Sequence, residues 1–142
     1  MSKFNAKLAR RKLDKWSAKR ESKKLDAFCR QIVFARDGNK CRRCGKDKDH
    51  AALHWAHTIT RASKAVRWNL KNSQVLCYYC HFRWAHEYPL QFAAWVRSEI
   101  GDEATDALIR ASSTSRPLDP IYVQTVWQYL SDEAQKYGVK LP

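Results

Sequence analysis

Apolar positions first recur at helical spacing over 25–36, LDAFCRQIVFAR, where Leu25, Phe28, Cys29, Ile32, Val33 and Ala35 fall on one side. That period predicts an amphipathic helix with one buried stripe. Asp37, Gly38 and Asn39 end it in a turn. Further on, 52–59 reads as a strand, 61–72 as a largely irregular loop, and 74–76 as a short apolar approach to Cys77. A helix opens over 81–86. Pro89 fits the start of the next one, in which Leu90, Phe92, Ala93, Trp95, Val96 and Ile100 make an apolar face that Gly101 closes. A short helix over 102–111, a loop rich in Ser, Thr and Pro over 112–120, and a last helix over 121–137 follow. Upstream, Phe4, Leu8, Ala9 and Leu13 give a weaker helical stripe.

Charge divides this pattern into three parts. Residues 1–24 carry ten Lys or Arg against Asp14 and Glu21, and read as a basic helical arm. Residues 25–88 form the expected core. Residues 89–142 carry five Lys or Arg against seven acids and read as a helical extension packed on that core. With 142 residues, 44% of them hydrophobic, the chain can bury one compact core. Its net charge of +13 implies a polyanionic partner, nucleic acid before an anionic membrane surface. No stretch reaches the roughly 20 apolar residues of a membrane span, and the N-terminus lacks the apolar core of a signal peptide. The expectation is therefore an intracellular, cytoplasmic protein that binds DNA and not membrane.

Five cysteines in a reducing compartment point to metal before disulfides. Cys41 and Cys44 form one CxxC pair, Cys77 and Cys80 another, with 32 residues between them. Such pairs can set four soft thiolates around one tetrahedral ion, and Gly45 permits the tight turn after the first. Zinc fits this donor set without redox chemistry. An iron–sulfur cluster has the same ligand count, but nothing else in the chain suggests electron transfer. Four thiolates leave no open coordination position, so the ion would hold the fold. Cys29, alone in an apolar helix, reads as a small buried residue.

Cysteine spacing alone fits a zinc ribbon without activity as well as it fits an enzyme. His54, His57, Asn72, His81 and His86, between and just after the pairs, change that balance. Imidazole serves as base or metal ligand, and phosphodiester hydrolysis needs both a deprotonated water and charge stabilisation at phosphorus.

His57 in AHTITR, Asn72 in RWNLKNSQVLC, and His81 and His86 in CYYCHFRWAH resemble the signature of the HNH endonuclease family. The resemblance covers 41–86, with a weaker similarity to phage recombination nucleases of the Rap/NinG type. It implies an α+β fold: a small ββα-metal core with a structural zinc knuckle, flanked by the basic N-terminal helix and C-terminal helices. It implies a metal-dependent DNA endonuclease, acting on branched or structured phage DNA inside a bacterial host. His57 would activate water, and Asn72 would orient that imidazole or help hold the metal. His81 would be the helix-borne ligand to a catalytic magnesium or manganese, with zinc or nickel as substitutes. Many HNH enzymes carry an acidic ligand before the first His, where this chain has Ala56. His54, Asp49 and His86 are the candidate replacements. His54 lies three residues from His57, which on a strand puts it on the opposite face.

Arg61, Lys64, Arg67 and Lys71 in the linker, Arg42 and Arg43 in the first cysteine pair, and Arg10 and Arg11 in the arm are the candidate DNA contacts. Trp68 is expected to pack. Tyr78 and Tyr79 either stack on bases or pack around the zinc. One chain offers one active site, so a double-strand break needs a dimer or two events. The competing class is a non-catalytic, zinc-dependent nucleic-acid-binding protein or adaptor, in which the same histidines are structural.

Overall fold

Helix α1 (Ala18–Arg36) starts at Ser17, whose hydroxyl accepts from the Arg20 N–H at 3.4 Å. The computed structural model describes residues 16–142; Arg10, Arg11 and the stripe from Phe4 to Leu13 lie outside the described residues. The boundary expected after residue 24 falls inside this helix. Nothing between Ala18 and Arg36 breaks it, and Lys, Arg, Glu and Ala are good helix formers. Ser22, Leu25, Phe28, Cys29, Ile32 and Val33 make its buried stripe, while Lys19, Arg20, Lys23 and Lys24 stay exposed.

The chain then forms the first cysteine turn and a two-stranded antiparallel sheet. In it β1 (Leu53–His57) pairs with β2 (Ser73–Cys77), Leu53 opposite Cys77 and His57 opposite Ser73. A single 3₁₀ turn (Leu70–Asn72) leads into β2. After β2 comes a π-helix (Tyr79–Ala85), in place of the ordinary helix expected over 81–86. The elements that follow are α2 (Pro89–Ile100), α3 (Asp102–Ser112) and α4 (Pro120–Lys136).

Strand alternation splits the interior into two layers. Val75, with Trp55 packed alongside, joins the stripe of α1, Trp68, Leu70 and the α4 residues Val123, Val126, Leu130 and Ala134. Ala56 and Leu76 face the other way, onto Cys41, Cys77, Cys80, Trp84 of the π-helix, and Phe92 and Val96 of α2. The sheet is thus covered on both sides, which is why all five residues of β2 are buried. Fully buried side chains such as Leu130 and Ile32 each contribute about 1.5–3 kcal/mol. Residues 89–142 therefore serve both layers. Asp119 caps α4 through Oδ1, which accepts from the Tyr122 N–H at 2.8 Å. Among the described residues no helix is long and apolar enough to cross a membrane.

Candidate metal centre and histidine cluster

Cys41, Cys44, Cys77 and Cys80 converge, their sulfurs all within 4.8 Å of one another. The first pair sits on a tight turn closed by Cys41 N–H to Lys46 O and Gly45 N–H to Cys41 O, both 2.8 Å. Gly45 has φ +81, which an L side chain rarely adopts. The second pair joins the end of β2 to the π-helix. Arg42 N–H donates to Val75 O at 2.8 Å and ties the turn to the sheet. Cys44 Sγ and Cys77 Sγ are 3.6 Å apart. A tetrahedral ion with Zn–S bonds of about 2.3 Å separates its ligands by about 3.8 Å. The four cysteines are positioned to hold a metal ion, and their donor set suits zinc.

Protonation favours the same conclusion. Burial opposes the Cys41 thiolate, but the N–H groups of Cys44, Cys77 and Arg43 bring its pKa down to about 7. Burial, reinforced by Cys77 and Cys41, pushes Cys80 up to about 12 despite the Arg43 Nη1–H donated to its sulfur at 3.4 Å. Thiolates this close repel one another, and a divalent cation removes that repulsion while releasing protons. Cys29 takes no part. It is fully buried in α1, where burial raises its thiol pKa.

A second cluster lies beside the knuckle, on the sheet face that carries Ala56. His54 Nδ1 is 3.1 Å from His81 Nδ1. The His81 and His86 rings are 4.8 Å apart. The wide turn of the π-helix sets them together: His86 N–H bonds to His81 O at 3.2 Å, an i to i+5 register. Phe82 packs against all three imidazoles, with ring centroids 5.2, 4.4 and 5.1 Å from His54, His81 and His86. Burial, then the neighbouring His86, His54 and His57, lowers the His81 pKa to about 4, so the ring is neutral.

His57 faces the other layer. Its ring lies 4.2 Å from that of Trp55, and its Nε2 bonds to Arg67 O at 3.0 Å. Burial first, then Arg61 and Arg67, lowers its pKa to about 4, against the raising effect of the Arg67 carbonyl. No hydrogen bond joins His57, Asn72 and His81 to one another. Asn72 is wholly buried. Its Oδ1 accepts from Ile59 N–H at 2.8 Å, and its Nδ2 donates to Ile59 O at 3.0 Å and Val66 O at 3.1 Å. It pins the two ends of the loop that presents Arg67 O to His57. With Oδ1 and Nδ2 both engaged in this way, Asn72 anchors the loop.

Three of the expected DNA contacts have partners within the protein. Arg67 pairs with Asp26 of α1, at 2.5 Å for Nη2–Oδ2 and 3.0 Å for Nε–Oδ1. Arg42 reaches Glu99 at 3.3 Å and Asp37 at 3.7 Å. Arg43 stacks over Trp84 at 3.8 Å while donating to Cys80. Each has a partner distant in sequence, which local charge counting does not show. Arg61 and Lys71 are exposed, and Lys64 is half-buried. Asp49 sits on an exposed turn, its N–H bonded to Asp47 Oδ1 at 3.0 Å, in a groove with Lys40 and Lys48. Trp68 is buried, whereas Tyr78 and Tyr79 are exposed, the Tyr78 ring lying 5.3 Å from that of Phe82 and 6.3 Å from that of His54.

Sequence reasoning missed Asp26 and the Arg36–Asp37 pair. Asp26 also accepts from Trp68 Nε1–H at 2.8 Å, so one carboxylate holds the whole 66–68 segment against α1. Arg36 donates to Leu70 O and to Ser73 O, and Asp37 Oδ2 accepts from Val75 N–H at 2.9 Å. An acid beside the apolar stripe of a basic helix was the available signal for Asp26. Asp37 had looked like a turn residue only. Comparisons of the chain with protein-family models, curated proteins and solved structures find no match.

Proposed function

We propose that this protein is a metal-dependent DNA endonuclease of the HNH type, with His54 and His81 as the ligands that replace an acid at position 56. One observation carries the reading: the 3.1 Å separation of the two Nδ1 atoms. Metal–nitrogen bonds of about 2.0–2.1 Å place two cis ligands about 3.0 Å apart in an octahedron and about 3.3 Å apart in a tetrahedron. His54 stands two residues before Ala56 and shares its face, so strand geometry lets it serve in that position. His86, exposed one wide turn beyond His81, is the third candidate ligand. The order of hairpin then helix is that expected of a ββα-metal core.

His57 supplies the base. A carbonyl only accepts, so Nε2 carries the proton toward Arg67 O and Nδ1 keeps its lone pair. A neutral ring can take the proton of the attacking water as the phosphorus–oxygen bond to the leaving 3′ oxygen breaks. A bound divalent ion supplies charge stabilisation at the phosphate. Neutral imidazole donors suit zinc or nickel better than magnesium or manganese, which prefer carboxylate, carbonyl and water. Asn72 positions the base indirectly, by fixing the loop.

The second reading, a zinc-dependent nucleic-acid-binding adaptor, draws support from the internal pairing of Arg67 and Asn72. Cleavage of end-labelled duplex, single-stranded and four-way-junction DNA separates the two. The expected result is cutting that falls by at least about 10²-fold in His57→Ala, with zinc content and DNA binding retained. Binding without cutting under any ion would favour the adaptor.

A further inference from the structure

Helix α1 and the loop between the strands enclose an open cleft of about 490 Å³ on the His57 side of the sheet. Lys19 and Lys23, one helical turn apart, line one wall, and Lys64 and Arg67 line the other. The one acid in the cleft, Asp26, is already engaged by both arms of Arg67 and by Trp68 Nε1. Lys19, Lys23 and Lys64 have no ion-pair partner among the described residues. The loop wall is held in place: Tyr122 Oη of α4 donates to Lys64 O at 2.7 Å, and the Arg116 guanidinium lies 4.4 Å over the Tyr122 ring. Burial, then repulsion from Arg67, lowers the Lys64 pKa. Lys64 is therefore crowded against Arg67 on a loop held in place, and Lys19 and Lys23 stand exposed on the opposite wall.

We propose that this cleft seats the phosphodiester backbone of a DNA duplex, with Lys19, Lys23 and Lys64 as its phosphate contacts. The proposal rests on the nucleic-acid reading above and not on catalysis. It places the duplex against α1 and the loop, keeping Lys64 of the contacts expected from sequence and adding Lys19 and Lys23. Bound there, the backbone passes the residue whose carbonyl holds His57. Phosphate contacts of this kind fix position without reading bases.

The test is the salt dependence of duplex binding, measured by fluorescence anisotropy on the full zinc-loaded chain. Each phosphate contact contributes about 0.9 to the slope of log K against log salt. Replacing Lys19, Lys23 and Lys64 together by Gln should reduce that slope by about 2–3. Replacing Arg110, Lys136 and Lys140 by Gln removes the same charge elsewhere and should leave the slope nearly unchanged. Zinc content and circular dichroism establish that both variants fold, and the single Lys19→Gln and Lys23→Gln variants, at exposed helix positions, give a slope loss free of folding effects. Equal losses in the two triple variants, or none in the cleft variant, would overturn the proposal. So would loss of binding to anionic lipid vesicles with DNA binding intact. DNA binding that depends on the cleft in a protein that never cuts would sink the nuclease reading and leave the cleft standing.

Discussion

At His57 the Arg67 carbonyl decides the chemistry. It fixes the proton on Nε2, and burial keeps the ring neutral down to about pH 4. The ordinary value is 6.5, so the unfolded chain takes up this proton first as pH falls. The stability it contributes is full above about pH 6.5 and is lost as pH drops toward 4. A long-range ¹H–¹⁵N spectrum at neutral pH should show the Nε2–H tautomer, unchanged until the pH nears 4. Titration near 6.5 would mean an exposed, unheld ring. The convergence of the four cysteines was legible in the chain because residue type and spacing carry it. The partner of His57 was not, since a backbone carbonyl leaves no mark in composition. Arg67 shows the same limit: its charge was readable, but Asp26, which neutralises it, lies far off in sequence on helix α1.

Among the elements, α1 and α4 were readable from apolar period, and β1 from its sequence pattern to within a few residues. The π-helix was not, because a window of seven residues does not distinguish its period from that of an ordinary helix. Yet that wider turn is what puts His86 beside His81. The join between α1 and the loop depends on Asp26, which receives three side-chain hydrogen bonds. Asp26→Asn should lower stability by about 2 kcal/mol in denaturant unfolding, because it leaves a half-buried guanidinium short of its counter-charge. It should also loosen the loop that holds His57 and so reduce cleavage more than binding. A variant as stable as the wild type would show that the pair is screened and contributes little.

Over the whole molecule, one thin sheet separates two kinds of surface. The knuckle and the His54–His81 pair lie on one side, while His57 and the lysine cleft lie on the other. His57 stands at the end of β1, and its charge is the smallest of the influences that lower the His81 pKa. The net charge of +13 is the basis for expecting a polyanionic partner, but composition does not say which side would face one. Helix α4, returning onto α1, holds the wall of the lysine cleft through Tyr122. The most direct test of a nuclease centred on His54 and His81 is product formation against divalent-ion concentration, with the knuckle zinc retained. The wild type should cut only when an ion is added, with zinc or nickel effective at lower concentration than magnesium. His81→Ala should need at least about tenfold more ion or fail to cut, given that even outer-shell changes weaken metal sites by about 10–100-fold. Equal ion dependence in wild type and His81→Ala would contradict the site.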